Sequence, residues 1–168
     1  MVITMGELKE YLENHHIEVW EYGQLTATSA AAAAAVGCSV AEIAKTLLFL
    51  VGGTPVVVVT CGDMKVKSSR LKQAAGLSGK VKLPQADEVL SYTGYAPGGV
   101  CPFLLPPKLP LFLDSSLLRF SVVYAAAGNS HSAVPVTVSQ LEQLTGGSVV
   151  DLCDSIPVRP VNSNEQRS

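Results

Sequence analysis

Residues 43–60 read IAKTLLFLVGGTPVVVVT. The run is apolar enough to suggest a membrane span, but Gly52-Gly53-Thr54-Pro55 interrupts it after nine residues, Ile43 to Val51. A spanning helix needs roughly 20 continuous apolar residues. Its β-branched and aliphatic content around a glycine pair reads instead as strand, turn, strand, over Ile43–Val51 and Val56–Thr60. A strand apolar at successive positions is buried on both faces, so the hairpin belongs inside a sheet. Lys45 is the one charge between Glu42 and Asp63. Either its stem carries the ammonium out to solvent from the strand end, or the ammonium enters a cleft, where it holds an anion or gives up its proton to act as a base.

Working outward, Thr4 and Glu7 form a capping box for a first helix carrying Leu8, Tyr11 and Leu12. Ile17–Tyr22 alternates as a strand. Ser29–Val36 is an alanine-rich helix stopped by Gly37, and Ser39 with Glu42 caps a further helical turn. Beyond the hairpin, Gly62-Asp63 is a turn, Ser68–Ala75 a helix, Val81–Leu83 a strand and Gln85–Ser91 a helix. Gly94–Pro110 is a proline- and glycine-rich loop. Leu111–Asp114, Phe120–Ala126 and Ala133–Val138 read as strands. Ser139 with Glu142 caps a last helix ending at Gly146-Gly147, and Val149–Leu152 closes the sheet. Short helices alternating with closely joined strands predict one α/β (α+β) domain, residues 1–156, with a mixed sheet. Residues 157–168 read as a polar, frayed tail.

The 168 residues carry a net charge of -2, which excludes a uniformly basic nucleic-acid coat. The charge is segregated, however. Residues 64–86 hold Lys65, Lys67, Arg70, Lys72, Lys80 and Lys82 and no acid, while residues 1–42 hold six glutamates and only Lys9. The basic segment is either a phosphate-tracking patch or an ordinary solvated helix face. Cys38, Cys61, Cys101 and Cys153 show no metal-binding spacing; two disulfides can be drawn on paper, but free thiols of a cytoplasmic protein fit as well. Residues 1–13 carry three glutamates and no apolar run, unlike a signal peptide. His15-His16 reads as surface. P-loop, GxGxxG, GxSxG and HExxH patterns are absent.

Two further segments are candidates for chemistry. Gly98-Gly99-Val100-Cys101-Pro102 can aim successive N–H groups at an oxygen, or be a plain turn. His131, in Gly128-Asn129-Ser130-His131-Ser132, is a loop histidine or a proton-transfer group at a sheet edge. Cys101 with His131 would be a thiolate–imidazole dyad, though no cysteine-hydrolase signature surrounds it.

Taken in order, Ala41-Glu42-Ile43-Ala44-Lys45-Thr46-Leu47-Leu48-Phe49, the basic helix, Gly94-Tyr95-Ala96-Pro97-Gly98-Gly99-Val100-Cys101-Pro102-Phe103, Leu113-Asp114-Ser115-Ser116-Leu117, Val123–Gly128 and Val138–Gly146 resemble the YbaK/EbsC family. These are free-standing relatives of the editing domain inserted in bacterial prolyl-tRNA synthetases. The resemblance covers residues 1–152. It implies a compact domain on a curved mixed sheet and hydrolysis of a small amino acid from a mischarged tRNA, on proline tRNA, with no cofactor and no metal. The family's lysine maps to Lys45, its GxxxP loop to Gly98–Pro102, its strand-end aspartate to Asp114, and a polar position after the sheet's penultimate strands to His131. Cys101 departs from the family's usual small residue.

The resemblance assigns catalysis to Lys45, Gly98, Gly99, Pro102 and His131. Substrate contacts fall to Thr46, Val100, Cys101, Asp114 and Asn129, and RNA contacts to Lys65, Lys67, Arg70 and Lys72. The partner it implies is the aminoacyl-tRNA acceptor end, with a synthetase or a second copy as further candidates, in the cytoplasm, with no membrane and no DNA. Two alternatives stand beside it: a tRNA- or synthetase-binding homologue without hydrolysis, and a Cys101-dependent hydrolase.

Overall fold

The computed structural model describes residues 2–156. Its frame is the hairpin read from the sequence: β2 (Ile43–Val51) and β3 (Thr54–Cys61) pair antiparallel, with Val51 opposite Thr54. The two-residue turn sets Gly52 and Gly53 at φ 55° and 87°, the positive values that a tight hairpin turn demands and glycine supplies without strain. Around the hairpin are β1 (Trp20–Glu21), β4 (Met64–Val66), β5 (Val81–Lys82), β6 (Leu111–Asp114), β7 (Val123–Ala125), β8 (Ser132–Val136), β9 (Ser148–Val150) and β10 (Cys153–Ser155). The main sheet runs β1-β8-β7-β2-β3-β6-β9, with β5 also on β2; β4 and β10 form a separate ribbon. The sheet is mixed: β2/β7, β3/β6 and β6/β9 are parallel, and the remaining pairs antiparallel.

The hairpin is covered on both sides. Ala44, Val59 and Cys61 meet a core of Leu8, Leu12, Tyr95, Phe103, Leu113 and Leu141. Val56 and Val58 face Leu71 and Leu152. The helices are α1 (Met5–Asn14), α2 (Ser29–Val36), α3 (Ser68–Ala75), α4 (Ala86–Thr93) and α5 (Val138–Thr145). The Thr4–Glu7 capping box is present, with Glu7 N–H donating to Thr4 Oγ1 at 3.1 Å.

Several expectations change. The strand expected over Ile17–Tyr22 pairs only at Trp20 and Glu21. Ser39–Glu42 caps a short 3-10 turn. The strand expected from Phe120 starts at Val123, because Asp114 caps a 3-10 turn over Ser115–Arg119. The cap of α5 is Thr137 with Gln140 rather than Ser139 with Glu142, since Thr137 is the last extended residue and its hydroxyl accepts from Gln140 N–H at 3.1 Å. The β4–β10 ribbon was not foreseen. All four cysteines are free thiols. No helix among the described residues is long and apolar enough to cross a membrane. The expected frayed tail, 157–168, lies outside the described residues.

Candidate functional site

The site begins with a gap in the sheet. Gly62 N–H donates to Ile43 O at 2.8 Å, so Ile43, Lys45, Leu47 and Phe49 turn their main-chain groups toward β3. Ala44, Thr46, Leu48 and Leu50 turn theirs to the other edge. That edge meets β7 at Ala44 and β5 at Leu50. No strand among the described residues pairs with it at Thr46 or Leu48. A cavity of about 260 Å³ opens there, walled by Lys45, Thr46 and Leu47, by Tyr124, Ala125 and Ala126, by Ser132 and Ala133, by Thr26–Ser29 with Ala32, and by Gly98 and Val100. Thr46 Oγ1 is buried in this wall without a hydrogen-bond partner.

Its polar neighbours are already engaged. Thr26 Oγ1 donates to Ser132 O and accepts from Ser132 N–H, each at 3.1 Å, and Ser132 Oγ accepts from Ala127 N–H at 3.1 Å. Thr26, Ser132 and Tyr124 were not picked out from the sequence: their roles arise from pairing across about a hundred residues, which no local pattern signals.

Lys45 belongs to the wall, and its half-buried ammonium donates to Met64 O at 2.7 Å. Burial lowers its pKa, while the nearby Cys153, Asp63 and Cys61 act in the opposite direction. Lys45 also borders a second hollow of about 310 Å³, together with Lys65 and Lys82 over Phe49, Val81 and Leu83.

The glycine loop is held at its ends and middle. Tyr95 Oη donates to Phe103 O, and Gly99 N–H donates to Ala96 O at 3.0 Å. Gly98 adopts φ +87°, and a Cβ on Gly99 would lie 2.7 Å from Gly128 O. Glycine at 99 therefore lets the loop dock on the β7–β8 turn. Gly98 and Val100 reach the cavity; Gly99, Cys101 and Pro102 are not in its wall. Pro102 lines a separate hollow with Tyr11 and Leu104. Cys101 is fully buried, and that burial pushes its thiol up to about 12. A thiol so placed supplies almost no thiolate near neutrality, and it lies outside the cavity wall.

Asp114, His131 and Asn129 also lie outside the wall. Asp114 is buried and accepts from Leu152 N–H at 2.9 Å, Ser116 N–H at 3.2 Å, Thr60 Oγ1 at 3.3 Å and Ser116 Oγ. Its hydrogen bonds tie β6 to β3, to its own 3-10 turn and to the segment before β10. His131 is exposed, with Nδ1 3.2 Å from Gln24 O, and its N–H donates to Asn129 Oδ1 at 2.8 Å.

Of the basic residues, Lys65 is exposed. Lys67 pairs with Asp154 at 3.4 Å, and Arg70 with Asp154 at 3.1 Å and Asp151 at 3.5 Å. Lys72 sits in the last turn of α3, where a cation suits the helix end. Among the described residues no three His, Cys, Asp or Glu side chains cluster as a metal site.

Comparison with known proteins places this geometry in context. Residues 24–144 match the family model described as aminoacyl-tRNA editing domain. The uncharacterized protein YwhH of Bacillus subtilis (strain 168) is 36% identical over 142 residues, covering 83% of this chain and 89% of that protein. The crystal structure of a hypothetical protein, APE2540, superposes with a TM-score of 0.78 at 33% identity, over 88% of this chain and 99% of the other. One described as "a putative trans-editing enzyme for prolyl tRNA synthetase" gives 0.80 at 30% identity, over 92% of this chain and 100% of the other.

Proposed function

Because the chain belongs to the aminoacyl-tRNA editing domain family, we propose that the cavity beside β2 takes the ester end of a mischarged tRNA and hydrolyses it. The observation that carries this reading is the unpaired edge at Thr46 and Leu48, with the partnerless Thr46 hydroxyl beside it. A buried hydroxyl without a partner costs about 1–3 kcal/mol, and a polar ligand restores the missing bond. The edge offers C=O groups to the amino acid's ammonium.

Water attacks the carbonyl carbon. The bond from that carbon to the ribose oxygen breaks, the amino acid leaves as its acid, and the ribose oxygen takes the proton. The ester is activated enough that placing water and stabilising the oxyanion suffice. Gly99 N–H is committed to Ala96 O, which leaves the oxyanion to the N–H groups of its neighbours Gly98 and Val100. Lys45, released from Met64 O, holds the terminal phosphate or ribose. The wall contains no carboxylate or imidazole, so the vicinal ribose hydroxyl or the substrate's own amine moves the proton.

The alanines of the wall and its volume of about 260 Å³ suit a small side chain and exclude bulk. The relative named for prolyl-tRNA synthetase supports proline tRNA as carrier and the synthetase as partner, hence a cytoplasmic setting. A second reading, tRNA binding without hydrolysis, draws on the same lack of an acid–base side chain. Incubating the purified protein with a panel of mischarged tRNAs separates the two. Release of alanine, serine, cysteine or threonine from proline tRNA is expected, and retention of every ester defeats the hydrolytic reading.

A further inference from the structure

The cavity borders an aromatic wall. Trp20 in β1 pairs with Ala133 in β8, and Tyr124 in β7 pairs with Pro135 of the same strand. Paired residues, and residues two apart on a strand, point to one face of a sheet. Trp20, Ala133, Pro135 and Tyr124 therefore share a face, and the pairing of Tyr124 with Ile43 brings Lys45 onto it as well. β8 separates the strands that carry the two rings, yet the ring centroids are 5.8 Å apart with planes 35° from each other. The rings lean together across β8.

Aromatic rings that only fill core volume here are fully enclosed, as Tyr95 and Phe103 are. Trp20 and Tyr124 stay partly open, and Tyr124 and Ala133 line the cavity itself. Glu21, next to Trp20, points to the opposite face and pairs with Lys9 at 3.6 Å, so its carboxylate does not repel an anion on the aromatic side.

We propose that Trp20 and Tyr124 form a stacking seat for the terminal nucleobase of the RNA whose ester enters the cavity. This rests on the cavity being the ester site. Every base offers a π-face, so the seat needs no hydrogen-bond code. A base stacked there brings its ribose ester to the open edge of β2, and Lys45 lies on the same face for the adjoining phosphate.

Trp20 is the single tryptophan of the chain, so its emission reports on this wall alone. Titration with the trinucleotide CCA quenches that emission, and a trinucleotide with an abasic last position does not. In deacylation assays Trp20→Leu and Tyr124→Leu raise KM by roughly 5- to 100-fold with kcat retained, the loss expected for one base–aromatic stack, and Trp20→Phe restores most of it. Equal quenching by the abasic trinucleotide, no quenching at all, or unchanged KM in both leucine variants overturns the seat. Should the wild-type protein hydrolyse no ester while CCA still quenches Trp20 selectively, the seat stands and the hydrolytic reading falls. The quenching arm needs no variant, so a substitution that fails to fold leaves the seat testable.

Discussion

The hydroxyl of Tyr95 donates to the main-chain oxygen of Phe103 at 2.5 Å, eight residues along the chain. It closes the segment from which Gly98 and Val100 reach the cavity. Thr93 Oγ1 accepts from Tyr95 N–H at 3.1 Å and anchors the same end to α4. Tyr95→Phe keeps the ring and leaves the buried Phe103 carbonyl with only the weak Cys101 thiol donor at 3.9 Å, a loss of about 1–3 kcal/mol. Thermal unfolding will show the midpoint falling by roughly 2–4 °C per kcal/mol. Deacylation, measured well below that midpoint, falls further than the unfolded fraction explains, because the loop is no longer held against the cavity.

Thr46→Val separates stability from function. The hydroxyl has no partner in the free protein, so replacing it with a methyl removes a desolvation cost. The variant melts at or above the wild-type midpoint, by an amount on the order of 1 kcal/mol. Its deacylation rate drops, and Thr46→Ser recovers the rate. A rate in Thr46→Val equal to wild type means that the hydroxyl takes no part in binding.

What could be read in advance follows from what is local. The β2–β3 hairpin announced itself because both faces are apolar and two glycines sit at the turn. Lys45 stood out because a charge in such a strand needs a purpose. The ribbon was hidden: Met64-Lys65-Val66 and Cys153-Asp154-Ser155 are short, mixed in polarity and far apart in sequence, and each strand is defined only by the other. Asp114 enters as a site residue only through the resemblance, as the family's strand-end aspartate. In the fold it is a cap, since its carboxylate accepts from Ser116 N–H. The gap at Thr46 was invisible because it depends on where β7 and β5 stop, which the sequence of β2 does not contain.

Asp114, tied into the fold by its hydrogen bonds, is expected to contribute to acid stability. Burial alone raises its pKa, but hydrogen bonds from Ser116 and from the Leu152 N–H outweigh that and leave it below 3.8. A carboxylate with a depressed folded-state pKa contributes stability above its unfolded pKa and loses it as pH falls through the folded value. Asp114→Asn keeps one acceptor oxygen for groups that now share two. It loses about 1.5–3 kcal/mol near neutrality, the range for hydrogen bonds to a charged group, and its urea midpoint changes less than wild type over roughly pH 2 to 5.

Within the basic segment the contacts divide the cations. Lys67 and Arg70 answer Asp154 and Asp151, whereas Lys65 and Lys82 border the hollow next to Lys45. Lys65→Gln and Lys82→Gln each weaken tRNA binding and lower the slope of log affinity against log salt by roughly one. Lys67→Gln moves it less, because its charge is already balanced by an acid. Filter binding across a salt series decides this; wild-type slopes for Lys65→Gln and Lys82→Gln mean that the segment makes no phosphate contact there.

Lys45 links the two hollows, and under the proposed function its protonation is expected to set the alkaline limit of activity. Burial holds its pKa below the usual 10.5, so the ammonium loses its proton earlier than a free lysine does. If the charged form binds the substrate, kcat/KM, corrected for spontaneous ester hydrolysis, falls as pH rises through that lowered value. Lys45→Met abolishes the limb along with most of the activity, on the order of 100-fold or more. Its melting point stays near wild type, because removing a partly buried charge offsets the lost bond to Met64 O. Lys45→Arg keeps a charge that does not titrate in this range, and whatever activity it retains persists to higher pH. A Lys45→Met variant with wild-type rates would leave the cavity without its cation and end the assignment of phosphate or ribose binding to this residue.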